Sequence, residues 1–230
     1  MKRKLAALSA GVLVILGGGA YLAYDYYAGN HVAIQEVIPA DAPVEAAASP
    51  VDAEQLNGDW SLAPDSKVYF SVTTSKETVN FEGSSVKGKW QLDTSDSAKM
   101  SAEAVLDVNT LQSGNSQRDG HVKGTRFLDA EQFPEAKFTV KTFENLPGEW
   151  KEGEQVAFKM TGTLTVKGVS KDVTFDSKAV YNQGVISMEG SSVVTFNDFG
   201  MENPHTVLLD TQNNITVELR LILEKASDSV

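Results

Sequence analysis

Residues 156–175 read VAFKMTGTLTVKGVSKDVTF, and their alternation decides the fold. Val156, Phe158, Met160, Gly162, Leu164 and Val166 share one side of an extended chain, because successive side chains of a strand point to opposite faces. Lys167-Gly168 then separates Val166 from Val169, a spacing that suits a two-residue hairpin. Val173, Phe175, Ala179 and Tyr181 carry the same period on the way back. Upstream it recurs in Val68, Phe70 and Val72, in Gly88, Trp90 and Leu92, in Ala102, Ala104, Leu106 and Val108, and in Phe138 and Val140. Downstream it recurs in Ile186, Met188, Val194 and Phe196, and in Ile215, Val217, Leu219, Leu221 and Leu223.

Asn182-Gln183-Gly184 and the run from Asp93 to Asp96 supply further turns. No long amphipathic helix lies between the strands, which argues against a βαβ fold. About eight antiparallel strands joined mostly by hairpins predict an all-β closed barrel or a sandwich. Strands longer than about ten residues suit the barrel better. Helix is expected only at about 116–130, with a turn near 198–201. The inward positions mix large side chains (Phe70, Trp90, Phe158, Phe175) with small ones (Ala102, Ala104, Gly162, Ala179). Such a wall can leave a tunnel or fill a taper.

Outside this region the composition changes. Lys2, Arg3 and Lys4 precede a largely apolar run from Leu5 to Tyr24. Its twenty residues would span about 30 Å as a helix, one bilayer core. Residues 1–29 therefore read as a membrane anchor or a secretory signal. The length of the run and the tyrosines around its end favour an anchor helix at residues 5–24. Both readings export the rest of the chain, because the basic residues stay on the cytoplasmic side; in a bacterial cell envelope that means a periplasmic domain tethered to the inner membrane or secreted. Residues 30–59, rich in Ala, Pro and acidic side chains, read as a flexible linker with a reach on the order of 30 Å. Residues 60–226 then form one domain with its own core.

The chain has no cysteine, so disulfides, thiolate metal sites and a cysteine nucleophile are excluded. Its formal net charge of -11 argues against nucleic acid and anionic surfaces as partners. His31, His121 and His205 are scattered without metal-ligand spacing. No GxSxG elbow or glycine-rich phosphate loop occurs, and Asp198-Phe199-Gly200 lacks every other kinase element. The densest polar cluster is Arg118, Asp119 and His121, followed by Phe127-Leu128-Asp129 and Phe133-Pro134. Adjacent Arg and Asp more often fix a loop than share a substrate. A structural role is favoured, then a polar contact at an entrance, then catalysis.

Four stretches together resemble the YceI-like family of polyisoprenoid-binding, lipocalin-like barrels. They are Ser66 to Val72, Arg118 to Phe138, Gly162 to Val173 and Phe196 to Met201. Asp65 and Leu128 depart from the family pattern, which often has His and Phe there. The resemblance implies an eight-stranded antiparallel barrel with a short helical insertion, preceded here by one N-terminal hydrophobic helix. It also implies non-enzymatic binding, storage or transport of an amphiphilic polyisoprenoid or isoprenoid quinone, held as a ligand with no other cofactor. Phe70, Val72, Trp90, Leu106, Phe158, Met160, Leu164, Phe175, Met188 and Phe196 are then expected to line a tunnel. Arg118, Asp119, His121 and Phe127 are expected at its entrance. The alternative is a ligand-free barrel that serves as accessory to an envelope redox partner. A homodimer through edge strands or loops would leave no mark in the sequence.

Overall fold

A computed structural model describes residues 29–38, 49–204 and 210–226. The expected anchor helix at residues 5–24 and His205 lie outside the described residues. Among the described residues, no helix is long and apolar enough to cross a membrane.

The strands are β1 (Pro50–Val51), β2 (Gly58–Leu62), β3 (Lys67–Thr74), β4 (Thr78–Gly83), β5 (Val86–Leu92) and β6 (Ser101–Asp107). They continue with β7 (Glu135–Glu144), β8 (Trp150–Lys151), β9 (Gln155–Val166), β10 (Val169–Asn182), β11 (Val185–Thr195) and β12 (Thr211–Lys225). Two short helices join them, α1 (Ala53–Leu56) and α2 (Ser116–Lys123). Every pairing is antiparallel. The ladder runs β11-β10-β9-β7-β6-β5-β2-β12, and β11 pairs with β12 to close an eight-stranded barrel. Two of its long strands are interrupted. β2 and β3 both lie on β12, and β5 and β4 lie in turn on β2 and β3.

Pro64 sits in the first interruption and has no N–H for the ladder. The fully buried Ser66 takes over, its Oγ accepting from Ile222 N at 3.0 Å and donating to Ile222 O at 3.2 Å. The second interruption follows Gly83, where a Cβ would stand 2.6 Å from Leu106 Cδ1. β4 pairs with β3, while β5 goes on to pair with β6, and on β4 Glu82 forms an isolated bridge with Gln112. The hairpins at Lys167-Gly168 and Gln183-Gly184 have positive φ at both central residues, as two-residue turns require.

One end of the barrel is plugged. β1 pairs with β8, α1 follows, and Leu56, Trp60 and Trp150 are buried there. Trp60 Nε1 donates to Leu56 O at 2.7 Å. The other end carries the segment between β6 and β7, including α2.

The stretch 30–59 differs from the expected flexible linker in all its described parts. From Pro50 onward it contributes β1, α1 and the start of β2, with Val51 and Leu56 in the core. Residues 29–38 cross the outside of the barrel as a strap. Asn80 Nδ2 donates to Val32 O at 2.8 Å, and Gln35 N donates to the Tyr69 hydroxyl at 3.4 Å. Val37 N and Ile38 N both donate to Glu189 Oε1 at 2.9 Å. Low hydrophobicity alone predicts no order here; buried polar groups on β3, β4 and β11 supply the partners instead.

Candidate functional site

Inward side chains of this barrel do not fill it. A cavity of about 380 Å³ occupies the half nearest α2. Its lining is almost wholly apolar and draws on nearly every strand of the barrel. Of the residues expected to line a tunnel, Phe70, Val72, Trp90, Leu106, Met160, Leu164, Phe175 and Phe196 border it. Phe158 and Met188 do not. They border a separate space of about 30 Å³ towards the plugged end, with Leu56, Phe143 and Trp150. Trp90 borders both spaces and forms the floor between them, tilted against Phe143 with ring centroids 6.1 Å apart. The period-two pattern puts Phe158 and Met160 on one face, but says nothing about which side of Trp90 each occupies.

Several lining residues were not among those expected. Phe81 stacks on Phe70 with centroids 4.4 Å apart, and Val79 lies on the same short strand. Their alternation is visible in the sequence, but over only three residues. Ile215, Val217, Leu219 and Leu221 of β12 also face the cavity. Their period was legible; their neighbours in the sheet were not.

The entrance region is built around Ser113. Asn115 caps α2, its Oδ1 accepting from Gln117 N and Arg118 N at 3.1 Å. The turn of helix that follows directs Arg118 and Asp119 back onto the buried Ser113. Asp119 Oδ1 accepts from Ser113 N at 2.8 Å and from its Oγ at 2.5 Å. Arg118 Nε donates to Ser113 Oγ at 2.8 Å and Nη2 to Ser113 O at 3.0 Å. Its Nη1 donates to Gly29 O at 3.0 Å, and the guanidinium lies 5.9 Å from the Phe81 ring centroid. Burial lowers the Arg118 pKa, against the opposing charges of Asp119 and Glu77. Arg118 and His121 border the cavity; Asp119 does not. His121 is exposed and meets Phe127 edge to face at 5.1 Å, and Phe127 in turn meets Phe196 at 6.3 Å. The cavity therefore reaches solvent beside α2, while Trp90 stops it at the other end.

This arrangement suits enclosure more than reaction. The donor and acceptor groups of Arg118 and Asp119 are largely spent on Ser113 and the strap. Among the described residues, no nucleophile and base pair faces the apolar space. Among the described residues, no group of three or more His, Asp or Glu could hold a metal.

A family model described as "YceI-like domain" matches residues 60–223. A UPF0312 protein of Pseudomonas putida (strain GB-1) is 35% identical over 136 residues, covering 54% of this chain and 66% of the relative. Protein YceI of Salmonella arizonae is 29% identical over 91 residues, covering 40% and 44%. The chain thus spans just under two thirds of the length of the Pseudomonas relative and less of the other. Among solved structures, a polyisoprenoid binding domain from Saccharophagus degradans superposes with a TM-score of 0.60 at 16% identity, covering 73% of this chain and 98% of that one. BcnA of Burkholderia cenocepacia gives 0.58 at 19% identity, covering 68% and 95%. At these identities the likeness is one of fold.

Proposed function

Because this chain belongs to the YceI-like domain family, we propose that its barrel binds an amphiphile with an isoprenoid tail, a polyisoprenoid or an isoprenoid quinone, in the cavity beside α2. The observation that carries this is the cavity itself. An apolar space of about 380 Å³ leaves its lining without the packing contacts that a filled core provides, and an apolar tail would restore them. The volume also falls within the range of roughly 300–1,000 Å³ typical of small-molecule sites.

Each buried CH2 contributes roughly 0.8 kcal/mol, so one five-carbon unit contributes roughly 3–4 kcal/mol before ordering costs. The tail lies along Phe175, Met160 and Leu164 with its end at Trp90, and the polar group stays at the mouth near Arg118 and His121. The polyisoprenoid named for the Saccharophagus domain agrees with this reading. The role is carriage, storage or scavenging in the cell envelope, without catalysis and without a further cofactor. The geometry of Arg118 and Asp119 supports that assignment, since both are occupied in holding the entrance.

Native mass spectrometry of the full chain, expressed in a bacterium and released from its envelope, tests the proposal. A stoichiometric adduct identified after extraction as an isoprenoid lipid or quinone is expected. A folded protein with no adduct, and no uptake from added envelope lipids, would overturn it.

A further inference from the structure

The strap leaves almost no slack between the N-terminal apolar run and the barrel. Gly29 O is held by Arg118 Nη1 at 3.0 Å, at the entrance. Asn30 N donates to Glu77 Oε2 and Asn30 Oδ1 accepts from Asn80 N, both at 3.0 Å. The strap then runs away from the entrance to Glu189. Gly114, beside Arg118 in the fold, has a φ of +77°, and a Cβ there would meet His31 Cβ at 2.5 Å. Loop and strap are thus packed as closely as glycine permits.

Tyr24, the last residue of the apolar run, is five residues before Gly29. Five residues span at most about 18 Å when fully extended. Whatever path residues 25–28 take, the end of the run lies within that distance of a carbonyl hydrogen-bonded to Arg118, which borders the cavity. A free thirty-residue linker would instead roam on the order of 30 Å.

We propose that the strap of residues 29–38 holds the mouth of the cavity against the bilayer that carries residues 5–24, so that a tail passes between membrane and barrel without crossing water. This rests on the isoprenoid reading for its cargo and on retention of the apolar run for its anchor. The docking comes from the tether and needs no charge attraction, which suits a chain of net charge -11. The face presented to the bilayer includes the partly exposed Val122 and Leu128, both bordering the cavity.

The chain has no cysteine, so single probes can be placed cleanly. The full chain, reconstituted in phosphatidylcholine vesicles containing quencher-labelled lipid, would carry a fluorophore on Thr125→Cys near the mouth or on Glu149→Cys near the plugged end. Strong quenching at 125 and little at 149 is expected. A twenty-residue Gly-Ser insertion between Ala28 and Gly29 should abolish that difference while strap and barrel stay intact. Asn80→Ala with Glu189→Ala, neither of which borders the cavity, should abolish it by releasing the strap. Equal quenching at both positions in the unaltered chain would overturn the proposal. So would an N-terminus in purified envelope protein that begins after residue 24. Lipid extracted from the same vesicle-bound protein keeps the two readings apart: intact quenching without bound isoprenoid sinks the ligand and leaves the position of the mouth standing.

Discussion

On the mouth side of Trp90 the barrel encloses about 380 Å³; on the other side the space shrinks to about 30 Å³. Strands β5, β7, β9, β10, β11 and β12 contribute to the walls of both halves. The difference comes from residue size and from what enters at the ends. Towards the base, Leu56 of α1 and Trp150 of β8 meet Phe143, Phe158 and Met188. Towards the mouth the wall includes Ala102, Ala104 and Ala136, and the segment between β6 and β7 sends in Val108, Leu111, Val122, Phe127 and Leu128 beside its polar groups. A binding site can thus be cut from a uniform barrel by plugging one end and thinning the wall at the other.

The largest expected effect tests the packed half. Phe158→Ala should cost about 3–5 kcal/mol of stability in denaturant titration, as truncations in a packed core do. Lipid bound per folded chain should stay constant. A loss of bound lipid at unchanged stability would mean that the two spaces act as one.

The next substitution addresses the open half. Ala104→Phe should fill part of the cavity and displace two or three methylenes of tail, weakening lipid retention roughly 10–100-fold by competition binding. The melting temperature should hold or rise, the opposite of the result at Phe158.

The strap crosses the outer wall of the barrel and sharpens the contrast from outside. Burial pushes the Glu189 pKa up, but donors from Ile38 N, Lys178 and Val37 N, with the charge of Arg220, bring it below the ordinary carboxylate value. A lowered folded value means that the carboxylate stabilises docking above its unfolded pKa of roughly 4.3. That contribution is lost as pH falls through the folded value. The protection factors of the Val37 and Ile38 amides, which divide out the pH dependence of intrinsic exchange, should therefore hold from pH 7 to 5 and fall only in stronger acid. Glu189→Gln should weaken docking by about 1–2 kcal/mol and flatten this pH dependence.

The smallest effect is expected at Lys141, which pairs with Asp172 at 2.8 Å, both side chains more than half exposed. Lys141→Met should change stability by less than about 1 kcal/mol, since exposed pairs are weak. Bound lipid should not change. A larger shift in binding would place this part of the wall among the ligand contacts.

Much of this was legible in the sequence, and the reasons for the rest are physical. Alternation from Val156 to Tyr181 and the Lys167-Gly168 turn predicted the strands, because both are local properties of the chain. The barrel's closure and eight strands agree with the family resemblance. Depth along the barrel was not readable, so Phe158 and Met188 were grouped with Met160 although Trp90 divides them. The strap was missed for a different reason. Its own residues are polar and small, and its order comes from Tyr69, Asn80 and Glu189, which are far away in the chain. Arg118 and Asp119 were placed at a loop with a structural role; their shared dependence on Ser113 required the fold to become visible.

β12 pairs with β11 along one edge and with β3 and β2 along the other, reaching back from Leu223 to Leu62. It is therefore the stave on which the barrel closes, and among the described strands it comes last in chain order. Until Thr211–Lys225 has emerged, the sheet has two raw edges and the cavity lacks a wall. Pairings this distant in sequence form slowly. A chain without β12 has an open sheet and no enclosed space, so any ligand of the cavity must wait until that strand is in place.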